Sequence, residues 1–254
     1  MKLTILLIGL LAGLTGLALA QGDWQLPEEP PPEQYGNVLI NRLSELKMVK
    51  PVLFSHWSHR TKYTCRVCHF ELEFEMKANA TEITEDACRN GQFCGACHDG
   101  KTAFGHTKEN CHRCHNGGND PTLKERFKKL RKRLPKAPYG NGIDWDRAYR
   151  RRRIRPKKSI YDETYRPMRF RKLLRLEAEW SMVPPAYFPH SVHNRWLDCA
   201  QCHPDIFNIK KKTTKHFEMK YNLQGKFCGV CHLKVAFPMR DCKRCHPAMK
   251  NNLF

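Results

Sequence analysis

Beyond Leu19 the chain has no apolar run long enough to cross a bilayer. Apolar residues are scarce throughout. Mean hydropathy is −0.66 and 28% of residues are charged, a balance that ordinarily leaves too little side-chain area for a core. Periodic apolar runs are few, which argues against an extensive sheet or long packed helices. The cysteines lie outside any thioredoxin-like βαβ pattern, so a disulfide oxidoreductase is disfavoured. Acidic residues are in deficit, 25 against 45 Lys and Arg, yet no nucleic-acid-binding module accompanies the positive charge. The 254 residues suffice for one ordinary domain or two small ones, whose core must come largely from something other than Leu, Ile and Val.

The first twenty residues read as an export signal. Met1-Lys2 is a basic start, Leu3 to Leu19 is apolar, and Ala18-Leu19-Ala20 is a small-x-small cleavage site. The mature chain is therefore expected outside the cytoplasm, in the periplasm or extracellular, with no transmembrane segment once cleaved. No cysteine lies near the cleavage site, which argues against a lipoprotein.

What the chain has in excess is cysteine and histidine, thirteen of each. Twelve of the cysteines form six identical patterns: Cys65-x-x-Cys68-His69, Cys94-x-x-Cys97-His98, Cys111-x-x-Cys114-His115, Cys199-x-x-Cys202-His203, Cys228-x-x-Cys231-His232 and Cys242-x-x-Cys245-His246. C-x-x-C-H is the attachment signature of c-type haem. Two thiols add across the two vinyl groups of one porphyrin, and the adjoining histidine falls beneath the iron as its proximal ligand. Six such motifs predict six covalently bound haem c groups, with His69, His98, His115, His203, His232 and His246 proximal. Zinc would use paired cysteines too, but it would leave all six histidines unexplained. Cys88 stands outside the motifs; no function is assigned to it.

The motifs form two groups of three, separated by the 83 residues between His115 and Cys199. Phe54-Ser-His56-x-x-His59 recurs 134 positions later as Phe188-Pro-His190-x-x-His193, and the same offset relates Cys65 to Cys199 and Gly91-Gln-Phe-Cys94 to Gly225-Lys-Phe-Cys228. Phe74-Glu-Met76-Lys77 reappears as Phe217-Glu-Met219-Lys220, and Ala103-Phe104 as Ala236-Phe237. The chain is an internal duplication, in which a ligand-bearing residue should recur.

These elements resemble the class III multihaem cytochromes c, small electron carriers of anaerobic sulfate- and metal-respiring bacteria. The Gly-x-Phe-Cys-Gly-x-Cys-His and Ala-Phe elements are most similar to the trihaem, c7-type branch. The resemblance covers residues 54–115 and 188–246. It implies that His56 and His190 are distal ligands of the first haem in each unit, and His59 and His193 of the second. For the third haem the residues leave alternatives. Met76 and Met219 recur, and methionine is an established axial ligand; His106, His216 and Met239 are the other candidates.

The expected organisation is a signal peptide (1–20), an N-terminal extension with a Pro-rich spacer and a short helix (21–50), a first trihaem domain (51–117), a basic linker (118–184) and a second trihaem domain (185–254). The expected fold is mostly irregular and small α, with short helices, little β structure, and packed haems as the core of each unit. Leu39, Leu43 and Leu46 have helical spacing. So do Phe127, Leu130 and Leu134 within Lys124–Leu134, and Met168–Trp180 could form another basic amphipathic helix. Residues 118–184 hold 21 Lys and Arg and 8 acidic residues, a net +13 of the chain's +20. Six haems add about twelve propionates, which lowers the total to roughly +8. The segment is thus either a solvated counterweight to the propionates or a docking surface for an acidic redox protein, or for a membrane or cell-surface redox complex. Electron transfer is the expected function. An assembly subunit and a reductase with an open haem are the rivals.

Overall fold

The computed structural model describes residues 26–179 and 182–250; the expected signal peptide over residues 1–20 lies outside the described residues. The elements are short. A hairpin of β1 (Asn37–Ile40) and β2 (Val52–Ser55) leads directly into α1 (His56–Arg60). α2 (Glu85–Arg89) precedes the second motif. α3 (Leu123–Arg133) and α4 (Trp145–Arg150) lie in the basic segment. A second hairpin, β3 (Leu173–Leu176) with β4 (Ala186–Pro189), leads into α5 (His190–His193), and α6 (Met219–Leu223) precedes the fifth motif. Single helical turns carry most motif cysteines. The fold is therefore the expected one of short helices and irregular chain with two small antiparallel sheets. Among the described residues no helix is long and apolar enough to cross a membrane.

Two expected helices are strands. Leu39 lies in β1, paired with Leu53, and Leu43 and Leu46 lie in the turns that follow; Leu46 is 75% exposed. Residues 168–172 are irregular and Leu173–Leu176 is β3, with burial alternating along the strand. Trp180 lies outside the described residues. Both segments fail as helices for one reason: pairing with the strand ahead of the His-x-x-His element satisfies their backbone groups. The first strand of each hairpin lies upstream of residues 51 and 185, where the two trihaem domains are expected to begin.

The basic segment is more than a solvated connector. Leu123 and Phe127 of α3, with Leu134, Ile143, Ala148 and Ile154, bury against Trp57 of α1, and Trp196 of the second repeat packs on the same cluster. The Trp57 and Phe127 ring centres lie 5.2 Å apart, edge to face. α3 turns its apolar stripe inward and keeps Lys124, Arg126, Lys128, Lys129 and Arg131–Arg133 exposed, with basic residues in its last turn, where the helix dipole favours them. The chain's main cluster of buried apolar side chains thus sits between the two repeats. Residues 26–35 reach the second repeat: Arg240 donates to the Leu26 carbonyl (3.1 Å) and the Tyr35 hydroxyl to the Ala236 carbonyl (2.6 Å).

Candidate haem-ligand sites

The two phenylalanines that open the His-x-x-His elements act as spacers. Phe54 meets His56 edge-on at 4.8 Å and stacks on His59 at 4.4 Å. Phe188 repeats this with His190 at 4.8 Å and His193 at 4.2 Å. One ring in each repeat thereby fixes the planes of two imidazoles.

Every one of the ten histidines expected as proximal or distal ligands directs Nδ1 at a backbone carbonyl. In the first repeat His56 faces Gly36 (2.8 Å), His59 faces Ser55 (2.9 Å), His69 faces Phe74 (2.7 Å), His98 faces Phe104 (3.0 Å) and His115 faces Lys50 (2.8 Å). In the second, His190 faces Lys172 (2.9 Å), His193 faces Pro189 (3.0 Å), His203 faces Phe207 (2.6 Å), His232 faces Phe237 (2.8 Å) and His246 faces Pro184 (2.7 Å). A carbonyl can only accept, so Nδ1 carries the proton and the Nε2 lone pair is left for a metal. His106 and His216 make no such bond among the described residues. The hairpins supply part of this frame, since Gly36 and Lys172 directly precede β1 and β3, and Lys50 and Pro184 lie two residues before β2 and β4.

Three histidine pairs face each other across a gap. Ring centres are 6.4 Å apart for His56 and His69, with planes within 6° of parallel, 6.3 Å for His59 and His98, and 6.2 Å for His193 and His232. Two metal–imidazole bonds of about 2 Å each, plus the half-widths of two rings, place ring centres roughly 6 Å apart. The gaps fit one iron each. Burial pushes His56 down to about 3 and His232 down to about 4, and lowers His59, His69, His98 and His193 as well, so these rings are neutral donors at pH 7. No two of the thirteen cysteines form a disulfide, and among the described residues no three His, Cys, Asp or Glu side chains converge on a bare ion.

The sequence model of one family, described as cytochrome c7 and related cytochrome c, matches residues 52–116 and 186–247. The chain belongs to the cytochrome c7 family. Membership brings covalently bound haem c and electron transfer, and proteins of this type are typically periplasmic or extracellular. Among solved structures the chain is similar to the C-terminal hexahaem fragment of GSU1996, at 27% identity over 86% of this chain and 99% of that one (TM-score 0.27). It is also similar to dodecahaem cytochrome c GSU1996, at 26% identity over 85% and 75% of the two chains (TM-score 0.29), and to the N-terminal hexahaem fragment, at 27% over 84% and 99% (TM-score 0.27). No curated protein matches the chain.

The methionines are placed differently from what the repeated tetrapeptide suggests. Positions 76 and 219 lie 143 apart, not 134. At the offset of 134, α2 corresponds to α6 and Met219 to Glu85, whereas Met76 follows the first motif in irregular chain. Met76, Met219, Met239 and His106 are all half-buried, and His216 is exposed. The same register explains Cys88. It corresponds to Asn222, whose Oδ1 accepts the Cys228 N–H at 3.1 Å, and it is a small buried residue at the matching place beside the second motif.

Several residues escaped the pattern of motifs. Arg66 lies inside the first motif and Asp198 immediately precedes the fourth, and the two pair at 2.9 Å. Arg66 also pairs with Glu71 and donates to the Lys158 carbonyl at 3.1 Å. Its backbone N–H donates to the Trp196 carbonyl at 2.9 Å. This knot joins the two repeats and the basic segment. An arginine within a C-x-x-C-H motif was its one visible signal.

Proposed function

We propose that the chain is an exported hexahaem c-type cytochrome that carries electrons in an anaerobic respiratory chain. The observation that supports this best is the common Nδ1 hydrogen bonding of ten histidines, five in each repeat at corresponding places, which prepares each Nε2 for iron. When bound, the haems supply reversible one-electron chemistry at iron. The chain's own residues hold and orient that chemistry. Cys65/Cys68, Cys94/Cys97, Cys111/Cys114, Cys199/Cys202, Cys228/Cys231 and Cys242/Cys245 are the attachment thiols. His69 with His56, His98 with His59, His203 with His190 and His232 with His193 are the axial pairs. His115 and His246 hold the third site of each repeat. Five histidines per repeat leave one of six axial positions to another donor, for which Met76 and Met219 are the proposed thioethers. Because the two methionines sit in different local structures, each is tested separately by M76L and M219L.

The outward basic face of residues 118–184 is proposed to dock an acidic redox protein, by charge complementarity.

The holoprotein mass should exceed that of the apo chain by six haems. H59A should convert one haem from low-spin to high-spin and make it bind carbon monoxide, while the parent binds none. Fewer than six haems, or an H59A spectrum identical to the parent's, would refute the ligand scheme.

A further inference from the structure

The two repeats are not joined where the sequence joins them. The third motif ends the first repeat and the fourth begins the second, but the contacts across the boundary come from elsewhere. Arg66 of the first motif holds Asp198 and the Trp196 carbonyl. Tyr35, close to the first repeat's hairpin, donates to the Ala236 carbonyl, in the segment whose next residue, Phe237, accepts from His232. The first motif therefore meets the fourth, and the hairpin and α1 of the first repeat meet the segment that follows His232.

Arg60 stands in that crossing. It ends α1, one turn after His56 and next to His59. Its guanidinium reaches over to the Val235 carbonyl, 3.4 Å away and three residues past His232. Trp145 at 5.2 Å and Trp196 at 5.6 Å hold it by cation–π contact. The side chain is half-buried, and among the described residues no carboxylate forms a salt bridge with it. It is thereby anchored both on the helix that opens with His56 and on the segment that follows His232.

We infer that Arg60 tunes one site in each repeat: its fixed positive charge raises the reduction potentials of the site built on Cys65/Cys68 and the site built on Cys228/Cys231. The inference rests on the axial pairing of His56 with His69 and of His193 with His232. A nearby cation favours the less positive, reduced state of each site, so both potentials rise together.

The test is an NMR-monitored redox titration of the holoprotein as R60Q, R60K and the exposed control K132Q. In R60Q two of the six midpoint potentials should fall and four should stay in place. R60K should restore both, although a lysine makes weaker contacts with the two tryptophans. K132Q should shift neither. Unchanged potentials in R60Q, an equal fall in R60K, or a uniform fall of all six would overturn the inference. Electron paramagnetic resonance on the same samples separates the two layers. If the parent lacks low-spin bis-histidine signals, the ligand scheme fails. If those signals are present and the potentials do not move, only the role of Arg60 fails.

Discussion

Arg66 occupies a variable position of the first motif, yet its side chain is only 10% exposed and that of its partner Glu71 only 7%. Its plane lies over Tyr165 at 3.8 Å, and the Tyr165 hydroxyl donates to Asp198 at 2.8 Å. Removing one partner of a buried pair leaves uncompensated charge, so R66A should cost about 3–5 kcal/mol in a denaturant titration of the holoprotein. Burial alone would raise the Asp198 carboxyl, but hydrogen bonds from Tyr165, Arg66 and the Cys199 N–H outweigh it and hold the group below its ordinary value. A depressed carboxyl stabilises the fold above its unfolded value of about 4, and that stabilisation is lost as pH falls through the folded value. The melting temperature should therefore drop on acidification from pH 5 towards pH 3, and D198N should show a smaller drop over the same range.

At the scale of the element, the sharpest steric constraint falls on the glycine inside the second motif of each repeat. A Cβ on Gly95 would stand 1.7 Å from the Cys88 carbonyl oxygen, and one on Gly229 would stand 1.9 Å from that of Asn222. Helix and motif turn are pressed together there, so G95A and G229A should each destabilise the holoprotein by about 1–3 kcal/mol or more, measured by thermal melting with the haem content checked. The attachment motifs were legible in the sequence because covalent chemistry imposes spacing directly, and the His-x-x-His pairs because they recur at the offset of the repeats. The apolar stripe of α3 was legible too, since eleven residues carry a full helical period. The hairpins were not. Their strands have four residues each, and the partners lie across loops of 11 and 9 residues. Leu39, Leu43 and Leu46 could satisfy a helical spacing by chance at that length. The carbonyls that orient His56, His115, His190 and His246 were illegible for a deeper reason: backbone acceptors leave no mark on residue type. The two Phe-Glu-Met-Lys tetrapeptides stand 143 positions apart, nine more than the offset of the repeats, so their methionines sit in different local structures.

At the scale of the whole molecule, charge and packing are divided between two faces of one segment. Its inner side chains hold the repeats together and its outer ones carry most of the chain's net charge. Oxidation of the reduced protein by ferricyanide, a small anion, should slow by about tenfold or more as salt rises from low to physiological concentration. Oxidation by the hexaamminecobalt(III) cation should accelerate instead. Replacing exposed Lys128, Lys129 and Lys132 by glutamate should flatten both trends without lowering the melting temperature appreciably. The packing of Trp57 and Trp196 on the same cluster has a kinetic consequence as well. Two modules on a slack tether exchange electrons when diffusion brings them together, and solvent friction then limits the rate. Here the intervening chain is the mortar between the modules, so the separation of donor and acceptor is set by the fold. Intramolecular transfer between the repeats should therefore proceed at the same rate in buffer and in viscous sucrose.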